Sequence, residues 1–473
     1  MKTEAARDSL HNFIDGDAIQ RDIVRAENPA PALVREILAK AKELKGISPF
    51  EAAVLLRNQD LELDEAIFNT AIQLKKSIYG NRLVLFAPLY ITNECRNQCA
   101  YCGFNATNKD LERRTLTMDE LRREVEVLED LGHKRLLLVY GEHPTLGAEW
   151  IAETMRTVYE VTSAKSGEIR RVNVNCAPMD VDGFRRLKDA GIGTYQCFQE
   201  SYHTPTYEKM HHAGKKRDFL WRLHALHRAQ EAGIDDVALG ALFGLYNPTF
   251  EVLGLLHHAL QLEKDWGVGP HTISFPRLEP ALGSEVAFNP PYPSTDHKFK
   301  KIVAILRIAV PYTGLILTTR ENPELRRELL EVGVSQLSAG SRTYPGAYAD
   351  PNYDRPEVQQ FCVCDSRSLD EVIRSIVTEH GYVPSWCTAC YRLGRTGETF
   401  MELAKKGFIQ KFCLPNGLLT FKEYLVDYAS GPTREAGEAL LQRELETFGD
   451  ETRKPLLLDR LSRIEHGERD LYF

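Results

Sequence analysis

From residue 83 onward the chain alternates between two rhythms. Short runs rich in β-branched and aromatic residues are separated by longer stretches whose apolar residues recur at three- and four-residue steps. Eight such runs stand at 83–92, 134–142, 170–177, 194–201, 237–245, 271–276, 315–321 and 335–341. Helical patterns fall between them near 118–131, 147–164, 180–190, 217–232, 249–266, 297–311 and 323–332. Thr117 and Glu120 form a T-x-x-E capping box ahead of the first of these. Gly132, Gly191, Gly233 and Gly333 stand where helices end before the next strand. Strands and helices in strict alternation build an α/β fold around a parallel sheet. Eight strands fit a closed (β/α)8 TIM barrel, with an open doubly wound sheet as the alternative.

The flanks read differently. Residues 1–80 are helical in pattern, with PALVREILAKAKELKG and DEAIFNTAIQLKKSIYG each ending in glycine. Beyond 345 the stretch SRTYPGAYADPNYDRPE is loop-like, and residues 370–473 read as mostly helical. The expected organisation is an N-terminal helical extension (1–82), the barrel (83–345) and a C-terminal domain (346–473).

Composition narrows the function classes. The formal net charge is -8 and 27% of residues are charged, with a pI near 6.0. No basic surplus exists to bind a phosphate backbone, so no nucleic acid partner is expected. No apolar run reaches the ~18 residues of a membrane span. The opening MKTEAARDSLHNFIDGD lacks the basic and apolar regions of a signal peptide. A cytoplasmic protein without a membrane partner is the expectation. Ten cysteines in such a chain point to metal or redox chemistry rather than disulfides.

Six of the ten fall into two groups. Cys95-x3-Cys99-x2-Cys102 begins where the first strand ends, the side on which barrel enzymes keep their chemistry. Three thiolates this close can wrap three irons of a cubic cluster and leave a fourth iron open to a ligand. A structural zinc site is the alternative, but it wants a fourth ligand that is not adjacent. The second group is Cys387-x2-Cys390-x22-Cys413, again a trio, followed only by the distant His466. The same reasoning expects a second iron–sulfur cluster. Cys362 and Cys364 form a CxC pair that reads as two small side chains in an extended segment, with a ligand or a redox pair as the alternative, and Cys176 and Cys197 read as barrel packing.

The CxxxCxxC motif with Tyr101 before its last cysteine resembles the signature of radical S-adenosylmethionine enzymes. That resemblance implies a 4Fe-4S cluster with exchangeable S-adenosylmethionine on its unique iron, and one-electron reduction to a 5′-deoxyadenosyl radical. Gly141-Glu142, ending strand 2, resembles the motif that meets the methionine amino group. Glu200, ending strand 4, resembles a ribose or amine contact. The CxxC-x22-C spacing is similar to that of the tyrosine lyases of FeFe-hydrogenase maturation. So are GHKRLLLVYGE, GIGTYQCFQESYH, VGPHTISFPRLEPA, CTACYR and IEHGERDLYF. This implies that L-tyrosine is cleaved at Cα–Cβ to p-cresol and dehydroglycine. The latter would become carbon monoxide and cyanide at an auxiliary 4Fe-4S cluster with a labile iron.

In the GPHTIS context the family places a histidine ligand of that labile iron, which puts His271 in the role. His271 starts strand 6 and so faces the barrel bottom, about 20 Å from the first cluster. A channel through the barrel is therefore expected. Arg320, near the end of strand 7, offers a bidentate fork to the tyrosine carboxylate, with Ser338 and Ser341 near it. Implied partners are an electron donor of flavodoxin or ferredoxin type and other hydrogenase maturation proteins. Two alternatives stand beside this reading. One is a 2-iminoacetate synthase-like tyrosine lyase of thiamine thiazole synthesis, which lacks the second cysteine group. The other is a non-catalytic zinc-binding scaffold.

Overall fold

A computed structural model describes residues 10–165, 167–352, 355–405 and 408–473. The polar opening residues 1–9 and two residues of the Tyr- and Pro-rich loop, 353 and 354, lie outside them. The eight expected strands are present: β1 Arg82–Thr92, β2 Arg135–Tyr140, β3 Arg171–Asn175, β4 Tyr195–Gln196, β5 Val237–Gly240, β6 Thr272–Ser274, β7 Gly314–Leu317 and β8 Gln336–Ser338. Each pairs parallel with the next, and β1 pairs with both β2 and β8. The sheet is therefore a closed eight-stranded parallel barrel, and the open-sheet alternative is excluded.

Helices follow the expected order outside it. The Thr117 capping box forms in full at the head of the helix Met118–Asp130. Gly132, Gly191 and Gly233 adopt left-handed backbone, as helix-terminating glycines do. Gly333 is extended instead (φ −174°), and what favours glycine there is space, since an added Cβ would sit 3.1 Å from the Val303 carbonyl oxygen. The single helix expected over 217–232 is two, Phe219–Leu223 and Ala225–Glu231. Arg228 crosses the break, stacking on Trp221 and donating to its carbonyl at 2.7 Å. In the N-terminal extension the helix Leu61–Tyr79 packs on Asp296–Ala309, and the buried pair Lys301–Asp64 (2.6 Å) ties them.

The C-terminal region holds a strand that the sequence pattern hides. Val383–Ser385, β9, pairs parallel with the first residues of β1. Val84 is registered with Gln336 of β8 and with Ser385 of β9, so those two strands flank opposite edges of β1. β9 thus sits below β2, along the part of β1 that overhangs the barrel bottom. Pro384 masks the strand signal, yet an outermost strand tolerates proline because it needs no donor on its free side. Trp386 follows β9, buried and stacked on Tyr424 with ring centroids 5.1 Å apart. The long helix Phe408–Asp427 packs across β9. No helix among the described residues is long and apolar enough to cross a membrane.

Trp386→Ala removes the largest buried side chain at this junction. It should cost about 3–5 kcal/mol, read as a lower denaturation midpoint of the apoprotein.

Candidate functional site

The strand C-termini and their loops enclose a cavity of about 190 Å³. Its walls include Cys95, Cys99, Cys102, Tyr101, Gly141, Glu142, Glu200 and Arg320, so all the site residues expected at the barrel top meet in one place. The cysteine loop is held there by the end of β2. Gly141 donates to the Thr92 carbonyl at 2.8 Å, and Arg96 N–H donates to the Glu142 carbonyl at 2.9 Å. A Cβ on Gly141 would lie 2.4 Å from the Glu94 carbonyl oxygen, a backbone atom that cannot step aside. Glycine is thus required by close approach of the two chains. Asn97 donates to the Glu142 carboxylate at 2.8 Å and reaches Cys95 Sγ at 3.7 Å.

Burial pushes the Cys99 thiol up to about 12, with Lys216 opposing, and raises Cys102 as well. Without a cation the loop keeps these thiols protonated, so metal binding must release protons. Tyr101 is buried and its hydroxyl meets His211 Nε2 at 2.8 Å.

Glu200 has positive φ (71°), a left-handed conformation that a non-glycine residue adopts only when its surroundings impose it. Leu242 N–H donates to its carbonyl at 2.8 Å. The next two residues are gripped by Glu251, which accepts from Ser201 Oγ at 2.5 Å and from Tyr202 N–H at 2.7 Å. Burial pushes the Glu200 carboxyl up, but Lys216 at 2.6 Å and Arg222 at 3.7 Å outweigh it and hold the group below its ordinary value. Lys216, Arg222, Glu251 and Asn97 were not foreseen, because their roles arise from contacts that no local motif marks.

Arg320 is half-buried over the Phe361 ring (3.4 Å) and donates to the Arg277 carbonyl at 3.4 Å. No carboxylate lies within ion-pair distance of it among the described residues, so the surface salt bridge that competed with a ligand role is not there. The hydroxyls of Ser338 and Ser341 are buried on the same wall without partners. Gln360 spans from the Tyr90 hydroxyl (2.7 Å) to Cys102 Sγ (3.8 Å). The CxC pair belongs to this end too: Cys364 N–H bonds the Thr319 carbonyl and its thiol meets Glu279 at 3.4 Å.

At the barrel bottom a second cavity, about 60 Å³, is lined by Cys387, Cys390, Cys413 and His271. The second cysteine trio and the histidine therefore meet, although up to 142 residues separate them in the chain. His271 lies one residue before β6. Its Nδ1 is 3.5 Å from Asp236, and its Nε2 is 3.0 Å from the Tyr391 hydroxyl. Arg171 pairs with Asp236 at 3.1 Å and stacks on Tyr391. The Cys390 thiol bonds Cys413, which holds Cys413 low and pushes Cys390 up. Arg82, Arg135 and Arg395 each leave a buried Nε–H without an acceptor around these thiols. Unmet donors beside a thiol trio fit an anionic thiolate-bound cluster. No three His, Cys, Asp or Glu side chains among the described residues converge tightly enough to hold a single ion.

The two cavities share no lining residue. Their walls nevertheless meet two residues apart on four strands: Val84 and Phe86, Arg135 and Leu137, Gly314 and Ile316, Gln336 and Ser338. That is a separation of about 7 Å. Where the sequence led to an expected channel, the barrel holds two separately lined chambers whose walls approach each other.

Residues 89–258 match the Radical SAM superfamily model, and residues 274–382 match the Biotin and Thiamin Synthesis associated domain. The 2-iminoacetate synthase of Salmonella typhimurium is 33% identical over 337 residues, covering 71% of this chain and 85% of that protein. The [FeFe] hydrogenase maturase subunit HydE of Thermotoga maritima is 25% identical over 294 residues, covering 60% of this chain and 76% of that protein. A crystal structure of HydG, a maturase of the [FeFe]-hydrogenase, superposes with a TM-score of 0.94 at 50% identity, covering 98% of this chain and 100% of that one. The X-ray structure of HydG from Carboxydothermus hydrogenoformans gives 0.82 at 41%, covering 95% and 100%.

Burial raises the Glu251 carboxyl from 4.5 to about 7 in the folded protein. The folded state then binds the proton more tightly, so stability is fullest below pH 4.5 and is lost as pH rises toward about 7. That loss should be about 3 kcal/mol. Glu251→Gln should flatten this part of the stability–pH curve, measured by chemical denaturation across that range.

Proposed function

The chain belongs to the radical SAM superfamily, and from that premise we propose that it cleaves L-tyrosine at Cα–Cβ to p-cresol and dehydroglycine and converts the latter to carbon monoxide and cyanide for FeFe-hydrogenase assembly. The observation that carries this reading is the placement of two cysteine trios at opposite ends of one barrel, the second beside His271. It is supported by likeness to HydG over nearly the whole chain.

Cys95, Cys99 and Cys102 would hold the first cluster. Gly141 and Glu142 would meet the amino group of S-adenosylmethionine, and Glu200 its ribose or amine. Cys387, Cys390 and Cys413 would hold the auxiliary cluster, with His271 toward a labile iron. A cluster held by Cys95, Cys99 and Cys102 would supply one-electron reduction of S-adenosylmethionine. The protein's own part is positional. Lys216 and Arg222 keep Glu200 ionised, so that it accepts hydrogen bonds from the bound nucleoside. Arg320, charged and without a carboxylate partner, grips the tyrosine carboxylate, and the unmet hydroxyls of Ser338 and Ser341 complete the clamp. Burial excludes water from the reacting atoms, which protects a hydrolysable fragment. Arg82, Arg135 and Arg395 neutralise charge at the lower site. An electron donor of flavodoxin or ferredoxin type and the other hydrogenase maturation proteins are the partners this implies.

The 2-iminoacetate synthase relatives favour a second reading, tyrosine cleavage without the later steps. Anaerobic incubation with S-adenosylmethionine, reductant and tyrosine separates the two, assaying p-cresol, cyanide and carbon monoxide together. p-Cresol alone would sink the main reading. Cys387→Ser with Cys390→Ser should abolish carbon monoxide yet spare p-cresol, and joint loss of both products would contradict two separable sites. Arg320→Lys should lower kcat/KM for tyrosine by roughly 10- to 100-fold, the worth of a charge-assisted hydrogen bond. Unchanged steady-state kinetics would remove Arg320 from the clamp.

A further inference from the structure

The segment from Tyr207 to Asp218 folds back on the first cysteine loop as a backbone-bonded flap. Cys99 and His211 form a β-bridge. Ala100 N–H donates to the Met210 carbonyl at 2.9 Å, Gln98 N–H to Ala213 at 3.0 Å, and His212 N–H to Gln98 at 3.0 Å. Lys216 N–H adds a bond to Asn97 Oδ1 at 3.0 Å. The inner face of the flap is therefore bonded to the backbone on both sides of Cys99.

Its outer face is cationic. Lys209, His212, Lys215 and Arg217 are exposed. No carboxylate pairs with Lys209, Lys215 or Arg217 among the described residues, whereas Lys216 turns inward to Glu200. Glu208 is the single acid between His203 and Arg217. Beside the flap is an open depression lined by Arg96, Gly214, Lys215, Arg217 and Asp218. Asp218, the one acid in that lining, accepts from the Trp221 backbone N–H at 2.9 Å. This concentration of positive charge occurs on a chain of net charge -8, so it is a local feature that directs an acidic partner to this face.

We infer that the outer face of this flap, centred on Lys209, Lys215 and Arg217, is the docking surface for an acidic one-electron carrier protein. The inference rests on the radical-enzyme reading, which requires one electron at the cysteine loop for each cleavage of S-adenosylmethionine. The carrier is oxidised by one electron as the site gains one. Opposite charge at the contact raises the encounter rate and makes it depend on salt. The backbone bridges from the flap to Cys99 and Ala100 make the route from this surface to the thiols short. A second copy of this chain, itself acidic overall, has the same flap and gains nothing there.

The test compares two reductants on the holoenzyme, reading 5′-deoxyadenosine formed with S-adenosylmethionine and tyrosine. One is dithionite, which needs no docking surface; the other is reduced flavodoxin. The variants are Lys215→Glu with Arg217→Glu, and the milder Lys215→Gln with Arg217→Gln. Charge reversal should raise the KM for flavodoxin at least tenfold and flatten its dependence on salt. The neutral pair should fall between, and dithionite-driven turnover should stay within twofold of the parent. Unchanged flavodoxin kinetics, or an equal loss with both reductants, would overturn the docking surface and leave the radical reading standing. Absence of 5′-deoxyadenosine from the parent enzyme with dithionite would instead overturn that reading, and the docking surface with it.

Discussion

The structure depends on β1 being long enough to serve two neighbourhoods at once. Its upper residues, Ala87 to Thr92, close the barrel against β2, while Val84 to Phe86 pair with β8. Closure sets the height at which each neighbouring strand ends, and those ends carry the chemistry-bearing side chains. The cysteine loop leaves β1 only three residues after its last strand position. It is then fixed against the end of β2 by the Gly141 contact and the Arg96–Glu142 hydrogen bond. A side chain at Gly141 would force these two strand ends apart.

Electrostatics follows from the burial that closure creates. Burial raises the Cys99 and Cys102 thiols, so they resist ionisation until a cation meets them. Glu200 stays ionised against the same burial only because two cations face it. At the lower end the problem is inverted: three arginines around the thiols each present an Nε–H that no described residue satisfies. Buried charge becomes tolerable only where it meets a partner of opposite sign.

Much of this was legible in the chain. Hydrophobic periodicity placed all eight barrel strands, because each run is apolar, short and bounded by glycine or a capping residue. The cysteine spacings marked two groups, and the position of His271 at a strand start put it at the correct end. What stayed hidden was tertiary in origin. β9 escaped notice because Pro384 breaks its pattern and because its pairing exists only where β1 overhangs. Lys216 and Arg222 act on Glu200 from 16 and 22 residues away, with no motif to announce them. The CxC pair looked like a neighbour of the second cysteine group by sequence, yet the chain returns over the barrel mouth before descending. The separate lining of the two chambers depends on how side chains fill the barrel interior, and strand periodicity carries no information about that.

β9 has a consequence for the soundness of the barrel itself. Beneath β2 the overhang of β1 would otherwise present a row of bare peptide groups, the kind of sheet edge that recruits strands from other molecules. β9 covers that row, and Trp386 anchors the cover from behind. The C-terminal region is therefore a hem as well as a container for cysteines. A barrel trimmed above Val383 would keep its mouth intact but carry an adhesive seam along its base.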